Sequence, residues 1–134
     1  MCFVLFVLVF AEEIMFRLLP ALFILAITRN VIFLGVVLVI SAFVDAYIHK
    51  VDIEDILEKI HANINHEVLD LYMLFVFCLQ LVLAYTFYYV FVHCLVISLA
   101  TGLACAFITT LIVHFLYDFI IILLSYESLR KETE

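Results

Sequence analysis

The sequence predicts an all-α fold: a polytopic transmembrane helical bundle of about four membrane helices, with one amphipathic helix at the surface. Three observations carry that prediction. Of the 134 residues, 69% are apolar and 14% charged, against about 45–50% and about 25% in a soluble domain. The apolar residues fall in runs near the ~20 residues that cross a ~30 Å hydrocarbon core. The chain has 2 Gly and 1 Pro beside 14 Phe, which excludes disordered and collagen-like classes. Each run is read as a helix, because a helix satisfies its own backbone groups in lipid.

The first run covers residues 1–28 and is interrupted by Glu12, Glu13 and Arg17. Residues 1–10 share the length and apolarity of a signal-peptide core but lack a basic n-region and a small-residue cleavage pattern. The expectation is an uncleaved helix starting at Met1, in an abbreviated member of a larger architecture. A second chain could then supply further helices. The second run, 31–48, holds one acid, Asp45. The third, 71–100, is long enough to require tilt, bending or projection from the bilayer. The fourth, 103–124, carries His114 and Asp118.

Between the second and third runs, residues 50–70 are polar. Ile53, Ile56, Leu57 and Ile60 share one helical face there, with Asp52, Asp55, Glu58 and Lys59 off it. That pattern predicts an amphipathic helix lying at the membrane surface. Residues 126–134 read as a charged, frayed tail, which leaves one membrane-embedded domain over 1–125.

Charge excludes more than it identifies. The formal net charge of −7 provides no basic footprint for nucleic acid. Cys2, Cys78, Cys94 and Cys105 lie inside apolar runs without metal-knuckle spacing, and read as thiols that pack like small hydrophobes. Arg29 is the lone basic residue at one end of the four-segment arrangement. Lys50, Lys59, Arg130 and Lys131 collect at the other, so the positive-inside rule assigns that end to the cytoplasm.

Ionisable groups in membrane segments are costly and usually face a protein interior or a wet cavity. Measured from the Arg29 end at a helical rise of ~1.5 Å per residue, Glu13 and Tyr47 lie ~24 Å in, His114 ~17 Å and Asp118 ~23 Å. Three segments thus bring polar groups to one level. Glu13 and Arg17 are four apart and meet on one helix face, and His114–Asp118 and Asp45–His49 repeat that spacing. Glu12 points about 100° away from Glu13, and two adjacent carboxylates in low dielectric suit a general acid or base. His93 and Thr86 read as packing residues, His61 and His66 as solvated. The Phe and Tyr crowd of the third run reads as packing or lipid contact.

The run Ala11-Glu12-Glu13-Ile14-Met15-Phe16-Arg17 resembles the Glu-Glu-x-x-x-Arg motif of the CAAX prenyl protease type II family. Bacteriocin-processing and abortive-infection membrane proteins belong to the same family. His114-Phe115-Leu116-Tyr117-Asp118 is similar to its last motif, His followed four residues on by Asn or Asp. Phe43–His49 stands where a middle Phe-x-x-x-His motif belongs, with Tyr47 at the His position. The resemblance covers residues 11–120 and implies a glutamate-dependent intramembrane endopeptidase of the endoplasmic reticulum. Such enzymes remove the last three residues of proteins prenylated at a C-terminal Cys.

By that resemblance Glu12 activates water, Glu13 and Arg17 fix the site, and His114 with Asp118 supports the oxyanion. No cofactor is implied; a divalent ion on Glu12, His49 and His114 is the alternative to a metal-free mechanism. An ionised Asp118 would repel an oxyanion, so it is either protonated or orients His114. A phenol is a poor base at neutral pH, and His49 stands about 200° around a helix from Tyr47. His49 is therefore expected to substitute only if the helix ends there. The competing readings are an inactive relative that binds prenylated peptide, cued by Tyr47, and a redox or transport subunit ligating through His93 and His114.

Overall fold

The computed structural model describes residues 2–59 and 66–132, and every secondary-structure element among them is a helix. Helix α1 (Cys2–Glu13) passes through a π-helical turn (Ile14–Leu18) directly into α2 (Leu19–Thr28). Three long helices follow: α3 (Val31–Lys59), α4 (His66–Cys94) and α5 (Leu99–Glu132). Helix α4 packs between α3 and α5. The rod of α1, the π turn and α2 lies across them, α1 against α5 and α2 against α3.

The π turn follows from Pro20. In a regular helix the N–H of residue 20 would bond the carbonyl of Phe16, but proline has no N–H and its ring crowds that oxygen. The helix widens there, and the Leu19 N–H bonds Ile14 O, five residues back. The freed Phe16 carbonyl accepts a hydrogen bond from the Ser41 hydroxyl of α3. A single side chain from a neighbouring helix thus completes the irregular turn.

Short, capped connections make the neighbours antiparallel. Arg29 adopts φ 51°, ψ 23° and ends α2 as a left-handed cap, its N–H on Leu25 O. Asn30 Oδ1 then accepts the Ile32 N–H at 2.9 Å and opens α3. Ser98 opens α5 in the same way, accepting the Thr101 N–H at 3.0 Å.

The core is apolar and rich in small residues. Ala21, Ala42, Ala84 and Ala106 are buried with Leu34, Leu38, Phe87 and Phe91. Small side chains let helix backbones approach closely, the packing mode favoured in lipid. Most other large apolar residues point outward, from Phe3 through Ile32 and Leu74 to Leu116. In water so much exposed apolar surface would aggregate; against hydrocarbon it is the expected exterior. Three helices are long and apolar enough to span a membrane: Val31–Ile56, His66–Cys94 and Leu99–Leu123. The chain is a helical membrane protein.

Four expectations change. The first of four expected spans is no single α-helix: a π turn at Ile14–Leu18 stands between α-helical pieces of 12 and 10 residues in one continuous rod. The surface helix is not a separate element either. Over its described part, to Lys59, it is the continuation of α3. No Gly or Pro interrupts residues 50–59, and Lys50–Glu54 and Asp55–Lys59 pair at i,i+4 across the junction. Ile60 and His61 lie outside the described residues. The third run starts at His66 and stops at Cys94, because Ser98 caps the next helix and gives Ala100–Gly102 to α5. The backbone of the charged tail stays helical to Glu132.

At a rise of ~1.5 Å per residue, the 29 residues of α3 exceed a ~30 Å hydrocarbon core. Its last turns project with the start of α4, where Lys50 Nζ meets Asp70 Oδ1 at 2.6 Å. Exposed pairs of this kind contribute little to stability.

Candidate functional site

The π turn sets the orientation of the acid pair. Glu13 closes α1 and Arg17 lies within the widened turn, and both are buried, at 0% and 2% exposure. Arg17 Nη1 donates to Glu13 Oε1 at 2.6 Å. The other arm of the guanidinium, Nη2, donates to Oε1 of Gln80 on α4. Across from α1, α5 contributes His114, whose Nδ1 lies 2.8 Å from the same Glu13 oxygen. A carboxylate oxygen accepts, so Nδ1 carries the proton there. Glu13 therefore links the π-turn arginine to the imidazole of the last helix.

That bond directs the opposite ring nitrogen. His114 Nε2 stands 3.6 Å from Glu12 Oε2 and 3.6 Å from Asp118 Oδ2. On the other side of Glu12, His49 Nε2 lies 3.9 Å from Oε1 and 3.6 Å from Asp45 Oδ1. These separations exceed a direct hydrogen bond and fit bridging by a small oxygen species. Glu12 is thus flanked by two imidazoles, each with a second carboxylate behind it.

A cavity of about 200 Å³ opens beside this array, lined by Glu12, His49, Gln80, His114 and Asp118. Tyr72 and Tyr117 add two phenols, and Phe75, Val76, Leu79, Leu83 and Ile121 make the rest of its wall apolar. The site collects four carboxylates, Glu12, Glu13, Asp45 and Asp118, around two imidazoles and one permanent cation. Glu13 Oε2, Arg17 Nε and Asp45 Oδ2 are buried without a hydrogen-bond partner. Such atoms are rare in protein interiors.

Six of the residues singled out from sequence meet here: Glu12, Glu13, Arg17, His49, His114 and Asp118. Tyr47 does not join them. It is 53% exposed on the outer face of α3, beside Phe43 at 50%. His49 reaches Glu12 although α3 stays helical to Lys59, against the expectation that the helix must end for it to do so. The face of α3 that meets the π turn and the adjoining Glu12 is the one carrying Ser41, Asp45 and His49, spaced four apart.

His93 donates from Nδ1 to Tyr89 O at 2.8 Å in the last turn of α4, outside the cavity lining. Among the described residues no three His, Cys, Asp or Glu side chains are grouped to hold a metal ion, so Glu12, His49 and His114 are not a preassembled ligand set.

Sequence reasoning missed three lining residues. Gln80 is the lone amide in the 29 residues of α4, and a buried amide in a membrane helix signals a polar partner. Tyr117 lies inside the His114–Asp118 run itself. Tyr72 gave no signal apart from its neighbours. The Asp45–His49 spacing alone does not put Asp45 in the site, where it is 1% exposed. No family model, curated protein or solved structure matches this chain.

Proposed function

We propose that this protein is a glutamate-dependent intramembrane endopeptidase. The observation that carries the reading is the setting of Glu12: one carboxylate on the cavity wall, between His49 and His114. Its neighbour Glu13 is held out of the cavity by Arg17. Two adjacent acids thus have separate tasks, one structural and one facing the substrate space.

In this mechanism Glu12 takes a proton from a water molecule whose oxygen adds to the scissile carbonyl carbon. A tetrahedral oxyanion forms. The proton then passes to the leaving amine as the carbon–nitrogen bond breaks. Glu13 fixes the tautomer of His114 through the Nδ1 bond, and Asp118 balances the imidazole when it is cationic. His49 confines the water from the other side, with Asp45 behind it. Tyr47 needs no role here, since it lies outside the cavity lining.

The substrate class follows from the resemblance of the three motifs to the CAAX prenyl protease type II family, and the apolar wall of the cavity supports it. A C-terminal peptide carrying a prenyl chain would reach such a site from lipid, with its polar end at Glu12 and its chain along Phe75, Leu79 and Ile121. The concentration of Lys50, Lys59, Arg130 and Lys131 at the site's end of the molecule supports a cytoplasmic active site, in the endoplasmic reticulum membrane by the same resemblance.

The deciding experiment is tripeptide release from a farnesylated CAAX peptide by the detergent-purified protein, with Glu12→Gln beside it. Release by the wild type that falls at least about 10²-fold in the variant is the expected result. Equal release by both proteins, or none by either, refutes the reading.

A further inference from the structure

An oxyanion needs a hydrogen-bond donor that is aimed before the charge develops. The carboxylates of Glu12 and Asp118 cannot donate when ionised. The imidazoles are poorly free to do so. Nδ1 of His114 is committed to Glu13, and its Nε2 is equidistant, at 3.6 Å, from two carboxylate oxygens. Nε2 of His49 likewise faces Glu12 and Asp45. Any proton on these nitrogens is attracted by acids already present. Gln80 is in a different position.

Its side chain is buried to 3% exposure and lines the cavity. An arginine can only donate, so the atom that meets Arg17 Nη2 is the amide oxygen. The amide is planar, and fixing its oxygen fixes the direction of Nε2 and both of its protons. Electron withdrawal by the guanidinium through the carbonyl also makes those N–H groups stronger donors. Unlike an imidazole, the amide donates in every protonation state of the site.

We infer that Gln80 is the oxyanion donor of this site, its Nε2–H group bonding the scissile carbonyl oxygen as negative charge builds there. The inference rests on the endopeptidase reading and assigns Arg17 a second task, to orient and polarise that donor. It also resolves the presence of an acid at position 118. The amide that the oxyanion requires comes from α4, which leaves Asp118 free to serve His114.

Gln80→Glu separates a donor from a mere structural partner of Arg17. The new carboxylate has the same length and accepts the Arg17 bond, so packing persists, but it offers no N–H and its negative charge opposes an oxyanion. The expected result in the farnesylated-peptide assay is a kcat lower by about 10²–10³-fold, with KM changed less than about threefold. A companion Gln80→Met removes both the donor and the acceptor, and is expected to lose activity and thermal stability together.

Retention of wild-type kcat by Gln80→Glu, in an assay where Glu12→Gln is inactive, overturns this inference and leaves the endopeptidase reading intact. Absence of turnover by the wild type overturns both.

Discussion

The Ser41 hydroxyl donates to the Phe16 carbonyl oxygen, the oxygen that Pro20 deprives of a backbone donor. This contact connects α3 to the π turn between Glu13 and Arg17. Ser41→Ala leaves that carbonyl unpaired in an apolar setting and is expected to cost about 1–3 kcal/mol. Pro20→Ala restores a backbone N–H to Phe16, so the two changes combined should cost less than their sum. Thermal unfolding of all four proteins in one detergent measures the cycle, and strict additivity would show the two groups to be independent.

The two glycines predict opposite responses to alanine. A Cβ on Gly102 would meet the Phe91 ring and its carbonyl oxygen at 3.2 Å. A helix backbone cannot retreat as a side chain can, so Gly102→Ala is expected to destabilise by about 1–3 kcal/mol. A Cβ on Gly35 would meet only the Tyr88 ring at 3.4 Å. Gly35→Ala is expected to be neutral or to stabilise by up to about 1 kcal/mol through helix propensity. The melting temperatures should move in opposite directions or differ clearly in size.

Arg17 stabilises two helices through two separate nitrogens, toward Glu13 and Gln80. Arg17→Met removes the permanent counter-charge of a fully buried carboxylate, leaving it only the His114 bond, and is expected to cost about 3–5 kcal/mol. Arg17→Lys keeps the charge but loses the planar fork, so it should recover only part of the loss. A lysine variant as stable as wild type would show that charge alone matters. Denaturation in mixed micelles, followed by helical circular dichroism, provides the comparison.

The positions of Tyr47 and His49 separate their expected effects on turnover. Tyr47→Phe should leave tripeptide release within about twofold of wild type, since the phenol faces outward. His49→Ala removes one flank of Glu12 and should reduce release by about 10²-fold. The reverse ranking would place the phenol in the reaction and require α3 to rotate.

The helical class and most of the site were legible in the sequence because lipid simplifies the signal. Charged residues in apolar runs stand out, and i,i+4 spacing alone identifies the Glu13–Arg17, Asp45–His49 and His114–Asp118 pairs. Rotation about the helix axis was the less legible quantity. Motif spacing chose Tyr47 over His49, but the contact of α3 with the π turn and Glu12 follows Ser41, Asp45 and His49. That choice depends on packing against the π turn, which a single proline four residues beyond Phe16 produces and hydropathy does not register. Gln80 escaped notice because its partner is 63 positions away in sequence. The end of the second span escaped because polar residues alone do not stop a helix, and residues 50–59 hold neither glycine nor proline.

The separation of Glu13 and His114 by 101 positions has a consequence for biogenesis. Their bond forms only after α5 has left the ribosome, whereas Glu13 is made 101 positions earlier. The local pair with Arg17 answers that timing, since it lies within one continuous helical rod and neutralises the acid while the later helices are still being translated. When α5 arrives, its imidazole joins an ion pair already in place. The first helix thus carries its own counter-ion through insertion, and the polar cluster matures in the order in which the chain is made.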